Sequence, residues 1–102
     1  MNEFSVKPSM KDGVVLFQTG QVAVVRNIIL YNGQIYIVYQ QFLKMRSFYD
    51  FPLPSQEIHI VIVSKLNSEC KHALYHSIST KCVCLPLKDG KEFAVFPYAH
   101  KN

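Results

Sequence analysis

Cysteine and histidine are the side chains of this sequence with the widest chemical repertoire, because both can bind metals and act in catalysis. Those that lie near one another in the sequence are Cys70, His72, His76, Cys82, Cys84 and His100. Structural zinc sites usually separate paired ligands by two to four residues, whereas a single residue separates Cys70 from His72 and Cys82 from Cys84. On a strand, Cys82 and Cys84 would share one face, where a small apolar side chain suits the core. We therefore expect no metal site.

A cysteine nucleophile with a histidine base is the other reaction that these residues could support. Cys82 or Cys84 could pair with His76 or His100, but no local signature of a thiol enzyme surrounds either cysteine. The sequence also lacks a glycine-rich phosphate loop, a His-Glu-x-x-His motif and a conspicuous pair of carboxylates. We therefore expect a domain that has no catalytic activity and needs no cofactor.

Binding chemistry is better represented, in a basic and aromatic segment that spans residues 44–56. Lys44 and Arg46 precede three aromatic residues, Phe48, Tyr49 and Phe51. Exposed aromatic rings can stack on bases while neighbouring cations hold phosphates, so nucleic acid is one candidate partner. The alternative is that the rings close one end of the fold and the cations are a solvated surface.

Aromatic side chains could also form a cage for a methylated lysine, since a quaternary ammonium group is attracted to aromatic faces. Asp50 would supply an anion, and Tyr36 or Tyr39 could join from a neighbouring strand. These two tyrosines lie on opposite faces of that strand, so at most one can take part. The candidate contact residues are Tyr36, Lys44, Arg46, Phe48, Tyr49, Asp50 and Phe51.

Length and composition set the class of protein. The chain has 102 residues, of which 49% are hydrophobic and 18% charged, with a net charge of +4. These values predict one small folded domain and exclude a disordered tail. The longest apolar run, residues 35–39, is too short for a membrane helix of about 20 residues, so we expect no membrane partner. The odd count of three cysteines and the absence of a signal-peptide pattern predict an intracellular protein.

The apolar residues follow a strand pattern, in segments 14–17, 21–31, 34–39, 58–63, 79–85 and 92–96. Pro52 and Pro54 exclude a central strand between residues 44 and 56. The polar segment 66–76 is ambiguous and could hold one helical turn around residues 73–75. This pattern predicts an all-β fold, a small barrel or sandwich of about six mainly antiparallel strands with at most one short helical turn. The domain would span residues 14–100, after a flexible N-terminal segment at 1–13.

Two hairpins are predicted, at Asn32-Gly33 and Asp89-Gly90, because such pairs favour tight turns between strands. The first places Tyr31 opposite Gln34, Leu30 opposite Ile35, Ile28 opposite Ile37, and Arg26 opposite Tyr39. The second places Val83 opposite Phe96 and Cys84 opposite Val95. In the first hairpin, one face would be core and would carry Leu30, Ile28, Val24, Val22, Ile35 and Ile37. The other face would carry Ile29, Tyr36, Val25 and Val38 beside Asn27, Gln34 and Gln40.

That second face is too apolar to lie wholly in water. We expect another sheet, a loop or a partner to cover part of it. Self-association through this face is one of the possibilities.

Short motifs in the second half of the chain resemble those of a known group of domains. They are Phe48-Tyr49-x-Phe51-Pro52, Pro54-Ser55, the strand 58–63, Ser79-x-Lys81-Cys82-Val83-x-Leu85-Pro86 and Phe93-x-Val95-x-Pro97-Tyr98-x-His100. The pattern resembles a C-terminal β-domain of transposon-derived eukaryotic proteins, and is more distantly similar to bromo-adjacent-homology (BAH) domains. The resemblance implies a nuclear accessory module for nucleoprotein assembly, so we favour the nucleus over the cytoplasm.

Taken together, these features predict a non-catalytic protein-interaction module of a chromatin or transposase-related nuclear complex. Its contact surface would combine the 44–56 loop with the face that holds Ile29, Tyr36 and Val38. Two alternatives remain open: a nucleic-acid-binding barrel that uses the basic and aromatic loop, and a homo-oligomerisation domain, with a homodimer as its simplest form.

Overall fold

Seven β-strands and two 3-10 turns make up residues 13–87 and 89–98, the part of the chain that the computed structural model describes. The strands are β1 (Val14–Phe17), β2 (Val22–Tyr31), β3 (Gln34–Ser47), β4 (Val61–Leu66), β5 (Lys71–Leu74), β6 (Ile78–Pro86) and β7 (Glu92–Pro97). The 3-10 turns are Ser55–Ile58 and Tyr75–Ser77. The N-terminal segment expected to be flexible and the candidate ligand His100 lie outside the described residues.

Six of the strands close into an antiparallel barrel, in the order β1, β2, β3, β4, β7, β6 and back to β1. The seventh strand, β5, pairs with β3 beside β4. The prediction of an all-β barrel of about six antiparallel strands is therefore confirmed. Within the ambiguous segment 66–76, residues 71–74 form the strand β5, and the short helical turn lies at Tyr75–Ser77 and not around residues 73–75. The turn Ser55–Ile58 is a second one that the sequence pattern did not predict. No helix in the described ranges is long and apolar enough to cross a membrane.

The core has two parts, on opposite sides of the barrel wall. The barrel interior is filled by Val14, Leu16, Val22, Val24, Phe42, Val61, Val63, Cys82, Cys84 and Val95. A second cluster lies on the outside and consists of Val15, Phe17, Ala23, Val25, Ile37 and Ile78, with Tyr39, Ala73 and Tyr75 packed against it. Strands β1 and β2 contribute to both clusters, so both of their faces are apolar and buried.

A β-bulge in β2 changes the predicted pattern of the first hairpin. The pairs Tyr31–Gln34, Leu30–Ile35 and Ile28–Ile37 are confirmed. The pairing of Arg26 with Tyr39 is wrong, because Val25 lies opposite Tyr39 and Asn27 opposite Val38. Arg26 is the extra residue, and such a residue shifts the alternation of side chains beyond it.

The bulge splits the six residues that had been predicted to form one core face. Val22 and Val24 point into the barrel, whereas Ile28 and Leu30 lie on the side of the outer cluster. Val25 had been predicted on the same face as Ile29, Tyr36 and Val38, but it lies in the outer cluster, on the opposite face. The expected single core face therefore does not form.

Beyond the bulge, β2 and β3 extend from the barrel together with β5. We call this three-stranded extension the arm: residues 27–31 of β2, residues 34–38 of β3 and all of β5. Its side chains are largely exposed, with Leu30 at 72%, Tyr31 at 63% and Ile35 at 46% of their full accessible surface. Ile37, at the base of the arm, is fully buried.

Two further boundaries differ from the predictions. Strand β3 continues to Ser47, so Lys44 and Arg46 lie on a strand and not in a loop. Strand β4 begins at Val61 and not at residue 58, because Ile58 ends a 3-10 turn and His59 has a left-handed conformation with φ of 63°.

The second hairpin forms in the predicted register, with Val83 opposite Phe96 and Cys84 opposite Val95. Its turn is held by Asp89, whose Oδ1 accepts the backbone N–H groups of Lys91 at 2.9 Å and Glu92 at 3.2 Å. These hydrogen bonds favour the charged form and lower the pKa of the Asp89 carboxyl.

Replacing Ile37 by alanine should lower the free energy of unfolding by about 2–5 kcal/mol, because it opens a cavity in the outer cluster. Replacing Leu30 by alanine should change it by less than about 0.5 kcal/mol, as expected for an exposed site. Urea denaturation of the two variants measures both effects. Equal losses would mean that the arm is part of the core.

Candidate functional site

The aromatic loop, residues 48–54, joins β3 to the first 3-10 turn and carries the most exposed ring of the described residues. Phe51 is 87% exposed, Phe48 49%, Tyr49 39% and Leu53 38%. The rings of Phe48 and Tyr49 lie side by side, with centroids 6.4 Å apart and planes tilted by 55°. These side chains therefore do not close the end of the barrel, and they form an apolar surface that faces solvent.

The backbone of this loop is held by one buried hydroxyl group, that of Ser55. Its Oγ accepts the N–H groups of Phe48 at 2.6 Å and Tyr49 at 3.0 Å, and its O–H donates to the carbonyl of Ile60 at 2.7 Å. The Ser55 N–H also donates to the Tyr49 carbonyl at 2.7 Å. Ser55 is fully buried, and its three side-chain hydrogen bonds are part-buried. The loop thus presents its rings from a fixed backbone.

A small pocket lies at the end of the barrel, beside the 3-10 turn that follows the loop. Its volume is about 180 Å³, and it is lined by Leu16, Thr19, Gly20, Val22, Met45, Gln56, His59 and Val61. The left-handed backbone at His59 ends the turn and directs the chain into β4. Apolar residues of the barrel wall and polar groups of the turn both line the pocket, so it could receive one partner side chain.

The two candidate cations, Lys44 and Arg46, lie on the outer face of the barrel wall along the last residues of β3. In the pairing of β3 with β4, Lys44 lies opposite Ser64 and Arg46 lies opposite Ile62. The Arg46 guanidinium forms an ion pair with Glu92, with Nη2 3.1 Å from Oε1 and 3.3 Å from Oε2. Lys44 is exposed. One of the two predicted phosphate-binding charges is therefore already engaged by a carboxylate.

Tyr36 lies in the arm, far from the other candidates. It pairs with Ile29 and Leu74, and its ring centroid lies 6.3 Å from that of His72. Between Tyr36 and Phe48, the strand runs for on the order of 40 Å. The structure therefore keeps Phe48, Tyr49, Asp50 and Phe51 in one loop, at the end of the strand that carries the two cations, and places Tyr36 on a different surface. Tyr39, on the opposite face of β3, packs against Phe17 with ring centroids 4.7 Å apart.

The cysteines show why a thiol mechanism has little support. Burial raises the pKa of the Cys82 thiol to about 12, with a further contribution from neighbouring Cys84, and raises that of Cys84 to about 11. Both thiols pack in the barrel interior, as their spacing predicted. Cys70 is free and exposed. Within residues 13–87 and 89–98, no three His, Cys, Asp or Glu side chains converge as metal ligands would.

Sequence reasoning missed Ser55 as the residue that orders the loop. A serine after a proline carries no signal for this role, because its three partners are recognisable only when the loop has folded. The contribution of Gln56 and His59 to the pocket was also missed. Their position in the sequence, between the aromatic loop and a buried strand, was the one signal that could have indicated this role.

Ser55→Ala should lower the free energy of unfolding by about 1–3 kcal/mol, because it leaves two N–H groups and one carbonyl without their partner in a part-buried setting. Amide hydrogen exchange at Phe48 and Tyr49 should accelerate at the same time. Ser47→Ala is the matched control, since Ser47 Oγ accepts a single hydrogen bond, from the Gln56 N–H at 3.2 Å in an exposed setting. Unchanged exchange at Phe48 and Tyr49 in Ser55→Ala would show that the loop is ordered by other contacts.

Native protein at pH 8 should react with one equivalent of a maleimide, at Cys70. The Cys82 and Cys84 thiols are buried and almost wholly protonated at this pH, with on the order of one thiolate in a thousand at Cys84. Unfolding in urea should raise the number of reactive thiols to three. Mass spectrometry of the labelled peptides measures this, and rapid native labelling of Cys84 would contradict the structure.

Comparison with known proteins assigns the chain to a family without assigning an activity. No curated protein and no solved structure matches the chain significantly. Residues 1–98 match the model of one protein family, described as Domain of unknown function (DUF8592). This match covers nearly the whole sequence, and the chain therefore belongs to the DUF8592 family.

Proposed function

We propose that this domain is a non-catalytic protein-interaction module, and that the aromatic loop with the adjacent pocket is its contact surface. The observation that carries the proposal is the combination of exposed rings with a backbone locked by Ser55. Aromatic side chains dominate the energetics of protein interfaces because they bury a large area with few rotatable bonds. A loop that is already ordered loses little conformational entropy on binding.

The pocket gives such a contact a place for an anchor. Interface energy is usually concentrated in a few side chains that fill pockets on the partner. The pocket of about 180 Å³ lies beside the 3-10 turn that follows the loop, and its size matches one medium-sized side chain. A partner segment that contacts the loop could place one side chain in this pocket.

The setting that we propose is a nuclear nucleoprotein complex, either in chromatin or related to a transposase. Support for this setting comes from the resemblance of the loop and strand motifs to the C-terminal β-domain of transposon-derived proteins. The raised pKa values of Cys82 and Cys84 support a role without catalysis, since a protonated buried thiol is a poor nucleophile.

Nucleic-acid binding is the second candidate, and one observation favours it. Lys44 and Arg46 occupy alternate positions of β3 and therefore both lie on its outward face. The chain continues from there into the loop, where the rings of Phe48 and Tyr49 are adjacent. This order of cations and rings suits a single-stranded nucleic acid whose phosphates lie along β3 and whose bases stack on the rings of the loop. The ion pair of Arg46 with Glu92 at 3.1 Å weakens the case, because binding would have to compete with a carboxylate.

Photo-crosslinking from the loop tests the proposal. Benzoylphenylalanine at position 51 should yield a protease-sensitive, nuclease-resistant adduct in extract from cells of the source organism. Unlabelled wild type should suppress this adduct, whereas unlabelled Phe48→Ser/Tyr49→Ser should not. The same probe at exposed Lys91, in the second hairpin, is the matched control and should give no such adduct. The absence of a protein adduct at position 51, or equal adducts at both positions, would refute the proposal.

Fluorescence anisotropy with labelled single-stranded RNA, single-stranded DNA and duplex DNA separates the two candidates. If the domain is a protein-interaction module, it should show no nucleic-acid binding that the Lys44→Ala substitution weakens. Binding that falls steeply with salt, with a log–log slope of about −0.9 per phosphate neutralised on duplex DNA, and that Lys44→Ala reduces, would replace the proposed function with the second candidate. Arg46→Ala should then have the smaller effect, because Glu92 already engages that side chain.

A further inference from the structure

The inner face of the arm is an apolar surface that the barrel leaves uncovered. We define it as the side that continues the barrel interior; it consists of Asn27, Ile29, Tyr31, Gln34, Tyr36, Val38, His72 and Leu74. Ile29 is 41% and Tyr31 63% exposed. Together with Tyr36 and His72, these two residues line a shallow hollow of about 290 Å³. Contiguous apolar surfaces of this kind on small proteins usually mark a contact.

None of the eight residues of this face carries a formal charge, in a chain whose net charge is +4; the nearest charge along β2 is Arg26, which donates to Oε1 of Gln40, beyond Val38 on β3. The sequence from Asn27 to Leu43 contains no Asp, Glu, Lys or Arg, and β5 adds only His72 and Leu74 to the inner face. Two copies of a chain with this net charge repel each other over most of their surfaces. The inner face is a place where they can meet without burying a charge.

Features on both edges of the arm disfavour strand pairing, which favours association through its faces. The tight turn at Asn32-Gly33 makes Tyr31 and Gln34 a hydrogen-bonded pair, so the backbone N–H groups of Ile28 and Leu30 point away from β3. The Ile28 N–H donates to Oδ1 of Asn27 at 2.9 Å and is therefore not available to a new strand. On the other side, β5 has four residues and begins with Lys71, and short strands that carry lysine resist edge pairing.

We propose that the inner face binds the inner face of a second copy, so that the domain is a homodimer with two-fold symmetry. The side chains of this face present on the order of 500 Å² per copy, which gives a total of about 1,000 Å², the size at which specific interfaces begin. The dimer should therefore be weak and should depend on protein concentration. The outer face of the arm also exposes Ile28, Leu30 and Ile35; it differs from the inner face in carrying a formal charge, Lys71, opposite Tyr39.

Sedimentation of the full chain over a range of concentrations tests the proposal. The wild type should pass from monomer to dimer, and higher salt should tighten the dimer by screening the repulsion between copies. Ile29→Lys should weaken dimerisation by roughly tenfold or more, because the new lysine of each copy would be buried in the interface near the same lysine of the other copy. Leu30→Lys adds the same charge to the neighbouring residue, on the opposite face of the arm, and should leave the dimer intact.

A second variant guards against a folding defect. Gln34 is exposed on the inner face, so Gln34→Lys removes no buried side chain. It should also weaken the dimer, while the melting temperature measured at a concentration where both proteins are monomeric stays unchanged. A wild type that remains monomeric at all concentrations would overturn the proposal. So would a dimer that Leu30→Lys weakens as much as Ile29→Lys does. Phe51→Ser separates this proposal from the proposed function, because it alters the aromatic loop and should not change dimerisation.

Discussion

The pairing of β3 with three other strands is the interaction on which the rest of the structure depends. This strand has fourteen residues and is hydrogen-bonded to β2 on one side and to β4 and β5 in succession on the other. Its second half closes the barrel and its first half is the centre of the arm. A strand of this length reaches beyond the interior that it helps to enclose, so one part of it lies in the core while the rest stays in contact with solvent.

The bulge at Arg26 lets β2 follow β3 from the barrel into the arm. Before the bulge, both faces of β2 are buried, one in the barrel interior and one in the outer cluster. One extra residue increases the local twist and shifts the alternation, so that the two strands stay paired as they leave the barrel. The cost is an exposed apolar hairpin, which a partner would shield from water.

The two ends of β3 carry the two surfaces that we assign to binding. The arm lies at its beginning and the aromatic loop at its end, with the barrel as a rigid spacer between them. A dimer joined through the arms would carry two aromatic loops, each at the far end of its own β3. Two linked contact surfaces bind a partner with repeated sites more tightly than one does, through effective concentration. This arrangement suits an accessory module in an assembly with repeated or symmetric components.

Local signals in the sequence were enough to determine the all-β class, both hairpins and most of their registers. The turns at Asn32-Gly33 and Asp89-Gly90 and the strand preference of the β-branched runs each depend on only a few neighbouring residues. Short-range spacing likewise placed Cys82 and Cys84 in the core. Only the tertiary structure decided the bulge at Arg26, the addition of β5 and the role of Ser55, since each depends on residues that are distant in sequence or on the closure of the barrel. For the same reason, the seven candidate contact residues divided into two surfaces: side-chain type can be read from the sequence, but convergence in space cannot.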